Sequence, residues 1–336
     1  MPRLKLPAFL DPFLIALLAT VALATVLPCR GWGAAFFGTV TNVAIGLLFF
    51  LHGAKLSRAA ILDGIGNWRL HLTVLASSFV LFPAIGLALR AGLAGWVDRS
   101  MLDGVVFLCV LPSTVQSSIA FTSIARGNVP AAVCSASLSN LLGIFITPLF
   151  VGLVLIKQTG AGSGVSLSAI GDILLQLLVP FVVGHLSRPL TAGWIERHRQ
   201  STDIVDRGSI LLVVYTAFSA AVVEGLWQRL SVVDLIVVLL LDGLVLAVAL
   251  LSTTFAARWL GFGRADEIAI VFCGSKKSLA SGVPMASVLF PAAIVGPMIV
   301  PIMLFHQMQL MVCATLARRY AAQEPIRTAA FRSPRR

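Results

Sequence analysis

Long uncharged stretches recur along the whole of this 336-residue sequence. A helix needs about 20 apolar residues to cross the ~30 Å hydrocarbon core of a bilayer. The chain is 58% hydrophobic and only 12% charged, well outside the balance of a water-soluble domain. We therefore predict an all-α polytopic protein that lies in the lipid bilayer with ten transmembrane helices. The predicted spans cover residues 12–28, 34–52, 70–89, 101–125, 128–155, 168–187, 208–224, 234–257, 265–289 and 291–317.

The basic residues fall mostly in the predicted loops of one side. Of the 25 lysines and arginines, 18 share a side with both termini and five lie in the opposite loops. By the positive-inside rule, this asymmetry places both termini in the cytoplasm. It also accounts for the net charge of +11, so we expect no nucleic-acid partner. We expect the protein in the plasma membrane, which is the inner membrane of a bacterial cell.

The sequence carries no motif for a metal centre, a cofactor or catalysis. Its five cysteines are scattered and mostly within predicted spans, which indicates neither a disulfide framework nor a zinc site. It contains no HExxH or GxSxG motif and no aspartate pair in facing spans. We therefore do not expect an enzyme, and we expect no cofactor other than a sodium ion used for coupling.

Two adjacent lysines interrupt the ninth predicted span. Residues 268–289 begin as an apolar helix, stop at Gly274, place Lys276 and Lys277 side by side, and then resume. A charge at the bilayer centre costs at least ~2.5 kcal/mol, so such groups usually face a cavity and serve a function. The structural alternative is that one lysine pairs with Asp242 of the eighth span while the other extends to a water-filled vestibule.

The fourth predicted span has a comparable interruption. Pro112 removes a backbone donor, and the polar residues 113–118 follow at mid-depth. A kinked helix whose hydroxyls bond their own backbone is the structural alternative here.

The two interruptions indicate an internal duplication. Residues 115–120 and 275–280 are similar, and each segment is followed by a Pro-Ala-Ala sequence. We predict a first repeat of spans one to five over residues 1–160, a second of spans six to ten over residues 161–320, and a basic disordered tail over residues 321–336. Because five spans is an odd number, the second repeat is inverted relative to the first. Inverted repeats with broken helices that cross at the midplane, here spans four and nine, are typical of secondary transporters.

These motifs resemble the bile acid:sodium symporter family, and most closely its symporter-like branch, which includes bacterial proteins and solute carrier family ten member seven. The resemblance implies a core domain of spans three to five and eight to ten. It also implies a panel domain of spans one, two, six and seven that rocks against the core. The matching motifs extend over the predicted spans and are Leu111–Ser118, Ala125–Asn128, Ile146–Pro148, Gly274–Ser278 and Phe305–Gln309.

The resemblance also implies ion sites that this chain changes. Sodium-dependent members of the family bind two sodium ions beside the crossing. At ligand positions of those members this chain has Ala132, Ala136 and Phe272, and Lys276 and Lys277 replace neutral amides. Sodium requires several oxygen ligands, whereas a lysine ammonium can stand where the ion would lie. Coupling to sodium, coupling to protons and an anionic substrate therefore all stay open.

We predict a secondary active transporter of a small organic anion, coupled to sodium or protons by alternating access. The alternative is a membrane regulator of ion homeostasis without transport of its own. The predicted substrate- and ion-binding residues are Gln116, Ser117, Ser118, Ser137, Asn140, Ser275, Lys276, Lys277 and Ser278. The predicted charge partners or proton relays are Asp242, His306 and Gln307.

Overall fold

The computed structural model describes residues 12–55, 65–155, 167–229 and 231–323. Within these ranges the regular structure is helical, and no strand occurs. Six of the described helices are each long and apolar enough to cross a membrane. The prediction of an all-helical, polytopic integral membrane protein is therefore confirmed. The number of ten spans and the inverted relation of the two halves stay predictions, and the predicted tail lies almost wholly outside the described residues.

The helices run along the chain in the following order. They are α1 (Pro12–Val26), α2 (Trp32–Lys55), α3 (Trp68–Gly92), α4 (Arg99–Val110), α5 (Gln116–Ile124), α6 (Val129–Leu155), α7 (Leu167–Arg197), α8 (Arg199–Val223), α9 (Val232–Trp259), α10 (Arg264–Gly274), α11 (Leu279–Leu289) and α12 (Ala292–Ala322).

Polar caps fix where several of these helices begin. At the start of α9, Ser231 and Asp234 form a reciprocal capping box. The Asp98 carboxylate accepts from the Ser100 backbone N–H at 2.8 Å before α4. The Asn128 side chain accepts from the Ala131 N–H at 3.0 Å before α6. Such caps satisfy backbone donors that have no partner inside the helix, and they explain why the apolar runs begin their helices at these positions.

Helix α3 contains one wide turn in its middle. Residues Ser77–Leu81 are π-helical, and the Phe82 N–H bonds the Ser77 carbonyl five residues back. Continuing this register would pair the Ser78 carbonyl with residue 83, which is a proline and has no N–H to donate. The turn therefore leaves the Ser78 carbonyl oxygen available to another part of the chain.

Two predicted spans are broken where the sequence indicated an interruption. Helix α4 ends at Val110 and α5 begins at Gln116, while α10 ends at Gly274 and α11 begins at Leu279. We call the two connecting segments, residues 111–115 and 275–278, the crossing. The Ser278 N–H donates to the Pro112 carbonyl at 2.9 Å, so the two segments lie directly against each other.

Helices α1, α2, α7 and α8 pack together on one side of the crossing. Two glycines bring the backbones of α2 and α7 into contact, as small residues do between membrane helices. A Cβ atom on Gly53 would lie 2.0 Å from the Phe181 carbonyl oxygen, and one on Gly184 would lie 2.0 Å from the Phe50 carbonyl oxygen. The predicted division into core and panel stays a prediction.

Candidate functional site at the crossing

The buried ammonium group of Lys277 lies among backbone carbonyls. Its Nζ atom donates to the carbonyl oxygens of Ser78 at 2.8 Å, Cys109 at 2.8 Å and Leu111 at 2.6 Å. The ring of Phe82 lies 4.1 Å from the same nitrogen. An ammonium group has three N–H donors, and here each of them has a carbonyl acceptor. Lys277 is fully buried, and its charge is satisfied without a carboxylate.

The peptide group of Lys277 is held by a side chain from α12. The Lys277 N–H donates to Gln309 Oε1 at 2.9 Å, and Gln309 Nε2 donates to the Lys277 carbonyl at 2.9 Å. Gln309 Nε2 also lies 3.0 Å from Nδ1 of His306. Gln309 thus supplies the two backbone partners that the broken helix lacks at this residue.

Lys276 has a different environment from its neighbour. Its Nζ atom lies 4.4 Å from the ring centroid of Phe121 and 5.6 Å from that of Phe272. It donates to the hydroxyl of Ser117 over a long distance of 3.5 Å. The aromatic faces attract the positive charge, while Ser117 links Lys276 to the cavity described below.

Hydroxyl groups at the start of α5 form a short chain. Ser117 donates to Thr114 Oγ1 at 2.8 Å, and Thr114 Oγ1 lies 2.9 Å from Ser118 Oγ. Ser118 in turn donates to the Phe272 carbonyl near the end of α10 at 2.9 Å. The chain satisfies polar groups on both broken helices and fixes α5 to α10.

Asn140 of α6 connects both halves of the crossing. Its Nδ2 donates to the Ser113 carbonyl at 2.7 Å, and its Oδ1 accepts from the Ser281 hydroxyl at 2.8 Å. Ser139, the residue before it, accepts from the Ser113 backbone N–H at 3.0 Å. One turn of α6 thus stabilises the first interruption and fixes it to α11.

A cavity of about 360 Å³ lies between the crossing and helices α1, α2, α7 and α8. This volume suits a small organic molecule. The first turns of both α5 and α11 form part of its wall. The apolar lining residues include Phe13, Leu48, Phe49, Leu141, Ile144, Phe181, Ile210, Met285 and Leu310. The polar lining residues of the crossing and its neighbours are Thr114, Gln116, Ser117, Ser137, Asn140, Ser278, Ser281 and His306.

Charged side chains line one end of this cavity. Lys55 at the end of α2 lies 2.5 Å from Asp206 and 3.5 Å from Asp203, both on α8. Arg207 adds another charged group at this end, and His52 adds an imidazole. The cavity therefore combines an apolar wall, a hydroxyl- and amide-rich wall and one charged end.

Ten of the twelve predicted site residues fall into two groups. Six of them line the cavity, namely Gln116, Ser117, Ser137, Asn140, Ser278 and His306. Ser275, Lys276 and Lys277 are buried within the crossing, where the Ser275 hydroxyl donates to the Val271 carbonyl of α10 at 2.6 Å, and Ser118 is buried on α5. Gln307 is partly buried on α12 outside the cavity lining.

Among the described residues, Asp242 does not form the ion pair with a lysine of the crossing that the sequence suggested, and its role as a proton relay stays a prediction. It is fully buried on α9, but among the described residues it forms no ion pair with Lys276 or Lys277. The physical reason is that backbone carbonyls take up the donors of Lys277, while Lys276 lies against aromatic rings on the side of Ser117.

The sequence prediction omitted several groups that the structure brings to this site. Gln309 carried a usable signal, because an amide in the middle of an apolar span needs polar partners. The backbone carbonyl of Ser78 carried only the indirect signal of Pro83, five residues later. The charged end formed by Lys55, Asp203 and Asp206 could not be predicted, since nothing in the sequence distinguishes these residues from other charged residues in loops.

The sequence model of the SBF-like CPA transporter family matches residues 11–322. An uncharacterised protein of Pseudomonas aeruginosa is 59% identical over 326 residues, which cover 97% of each chain. YfeH of Escherichia coli, which is named as a candidate symporter, is 54% identical over 320 residues, 95% of this chain and 96% of YfeH. Sodium/bile acid cotransporter 7 of Xenopus tropicalis is 28% identical over 282 residues, 83% of this chain and 81% of the relative. The family resemblance inferred from the motifs is confirmed.

Proposed function

Because this chain belongs to the SBF-like CPA transporter family, we propose that it is a secondary active transporter that moves a small organic anion across the plasma membrane by alternating access. The family is one of transporters, and this chain is accordingly interpreted as a transporter rather than an enzyme. The observation that carries the proposal is the cavity of about 360 Å³, whose wall includes the first turns of both helices that follow a break.

The wall of the crossing suits an anionic group. The first residues of α5 and α11 have backbone N–H groups without partners in their own helices, and their dipoles place partial positive charge there. Ser117 and Ser278 place polar hydroxyl groups beside these ends. Lys276 adds a full positive charge behind Ser117, at 3.5 Å from its oxygen.

The opposite wall suits the apolar part of the same solute. Leu48, Phe49, Phe181 and Ile210 come from α2, α7 and α8 and face the cavity. Burial of apolar area contributes roughly 25 cal/mol per Å², so these side chains favour an amphipathic anion over a small inorganic one. Two relatives bear the names symporter and sodium/bile acid cotransporter, which agrees with such a solute.

The charged end of the cavity is assigned to the cytoplasmic side. Lys55 ends α2 and Asp206 lies in the first turns of α8, on the side that the positive-inside rule assigns to the cytoplasm. In this orientation both termini are cytoplasmic and the cavity extends from the crossing towards the cytoplasm. Rocking of α1, α2, α7 and α8 against the crossing would transfer access to the other side.

The driving ion is sodium or the proton. Neither Ala132 nor Ala136 of α6 has a side-chain oxygen, so these two positions cannot supply side-chain ligands to sodium, and Ser137 and Asn140 are the possible substitutes on this helix. Proton exchange at Lys276 or His306 is the alternative that the residues near the cavity permit.

Transport in proteoliposomes tests the proposal. The purified protein is reconstituted, and uptake of bile acids, sulfated steroids and keto acids is measured under a sodium gradient, a proton gradient or neither. We expect concentrative uptake of at least one amphipathic anion with one of the gradients.

Two leucine-to-tryptophan variants of α6 make the test specific for the cavity. Leu141 lines the cavity, whereas Leu149 is 45% exposed on the outer surface of the same helix. We expect Leu141→Trp to abolish uptake and Leu149→Trp to retain it. Binding of the anion without any transport, under every gradient, would instead support a membrane regulator of ion homeostasis.

A further inference from the structure

Each of the three carbonyl oxygens around Lys277 lacks a donor from its own helix for a specific structural reason. The Ser78 carbonyl lacks a helical donor because, in the π-helical turn of α3, its partner five residues later is Pro83, which has no N–H. The Cys109 carbonyl would ordinarily accept from the N–H of Ser113, but that N–H donates to the Ser139 hydroxyl at 3.0 Å. The Ser78 and Cys109 oxygens therefore have no donor from their own helices.

The Leu111 carbonyl is free because the helix ends there. Leu111 has extended backbone angles, with ψ of 155°, so its carbonyl points away from the ladder of α4. The last carbonyls of a helix have no helical donor and carry the negative end of the helix dipole. The negative end of α4 therefore points at the Lys277 ammonium group.

This arrangement has the properties of a binding site for a small cation. Backbone carbonyls at the end of a broken membrane helix are a common way to hold a dehydrated alkali ion. The Phe82 ring, 4.1 Å from Nζ, contributes an aromatic face that also favours positive charge. Among the described residues no carboxylate forms an ion pair with Lys277, so the carbonyl dipoles hold the charge.

We propose that Ser78, Cys109 and Leu111 form a cation site that the chain fills permanently with its own Lys277 ammonium group. An ion in this site would be exchanged during transport, whereas a covalently attached ammonium stays with the protein. The site therefore contributes stability and fixed charge but no coupling ion. The proposal rests on the geometry of the crossing and does not depend on the proposed transport activity.

A structural lysine that caps α4 would make the same three contacts, so the test must ask whether an inorganic cation can replace it. Lys277→Ala leaves the three carbonyls in place and opens room for an ion. The variant is purified in detergent, and its unfolding temperature is measured in equal concentrations of sodium, potassium, ammonium or choline chloride. Choline is too large for the site and serves as the reference cation.

We expect sodium or ammonium to raise the unfolding temperature of Lys277→Ala by about 5 °C or more over choline, since a ligand that binds only the folded state stabilises it. The wild type and Lys276→Ala should shift by less than about 1 °C, because in both the site remains filled by Lys277. Lys277→Met fills the same space without charge, and we expect no shift between salts for this variant.

Three outcomes would overturn the inference. The first is an unfolding temperature of Lys277→Ala that is the same in all four salts. The second is that Lys277→Ala yields no folded protein in any of the four salts. The third is an equal shift in Lys276→Ala, which would place the cation effect elsewhere. Because stability is measured rather than uptake, any of these results leaves the transport proposal untouched.

Discussion

The side-chain amide of Gln309 forms two hydrogen bonds with the peptide group of Lys277, each of 2.9 Å. One bond satisfies the N–H and the other the C=O, as a neighbouring strand or helical turn would. This contact fixes the backbone of the second interruption at the residue whose side chain reaches the carbonyl site.

Removal of this amide should destabilise the protein. Gln309→Ala leaves a buried N–H and a buried C=O without partners, at a cost of about 1–3 kcal/mol for each group. We expect a clear decrease in the unfolding temperature of the detergent-purified variant. Gln176→Ala, at an exposed position of α7, is the matched control and should leave this temperature unchanged. Equal unfolding temperatures for the two variants would show that the hydrogen bonds between Gln309 and Lys277 do not stabilise the protein.

Asn140→Ala should impair transport more than Ser137→Ala does. Both residues line the cavity from the same face of α6, but only Asn140 bonds both Ser113 and Ser281. We expect Asn140→Ala to lower the initial uptake rate at least tenfold, corresponding to about 1.4 kcal/mol. Ser137→Ala should stay within a few-fold of the wild type. A larger loss of uptake in Ser137→Ala than in Asn140→Ala would assign the solute contact to Ser137. The hydrogen bonds of Asn140 to Ser113 and Ser281 would then have a minor role.

The charge of Lys276 should contribute to binding of an anionic solute. Lys276→Met removes a positive charge 3.5 Å from the Ser117 oxygen that lines the cavity. We expect the KM for the anion to rise about tenfold or more, equivalent to at least about 1.4 kcal/mol.

Lys276→Arg is the control for this prediction, since it keeps the charge and should preserve more affinity than the methionine variant. Uptake is measured over a range of solute concentrations, after the folded fraction of each variant has been determined. An unchanged KM in Lys276→Met would remove this lysine from the site.

A methyl group at Gly53 should disrupt the packing of α2 on α7. The added Cβ would lie 2.0 Å from the Phe181 carbonyl oxygen, a distance that forces the helices apart. Such overpacking typically costs about 1–3 kcal/mol or more. Gly46→Ala on the same helix meets no atom within 4 Å and should be neutral or slightly stabilising. Thermal unfolding of both variants checks this, and similar losses in the two would contradict the packing argument.

The positions of the two breaks were predictable because the residues there are incompatible with an uninterrupted apolar helix. Pro112 removes a backbone donor, and Lys276 and Lys277 place charge where lipid would otherwise lie. Ser137 and Asn140 were predictable only through the family resemblance, as substitutes for ligands that Ala132 and Ala136 cannot supply. The family resemblance followed from the same segments.

The acceptors of Lys277 and the apolar wall of the cavity were not predictable in the same way. Backbone carbonyls have no signature in sequence, so the sequence offers Asp242 as a charge partner for one of the two lysines and gives no sign of the carbonyl acceptors. Membrane helices such as α2 and α8 present apolar residues to both lipid and protein, so periodicity does not show which face carries Leu48 or Ile210. Only the packed structure shows which face of each helix is turned towards the cavity.

The glycine contact between α2 and α7 also determines which parts of the molecule can move. Backbones that touch at Gly53 and Gly184 leave no free space for one helix to shift against the other. Across the cavity, by contrast, Phe49, Phe181 and Ile210 face Ile144 and Met285, and contacts between apolar side chains have no preferred direction. Access to the solute should therefore change as this apolar wall rocks against the crossing, with α2 and α7 moving as a single rigid unit.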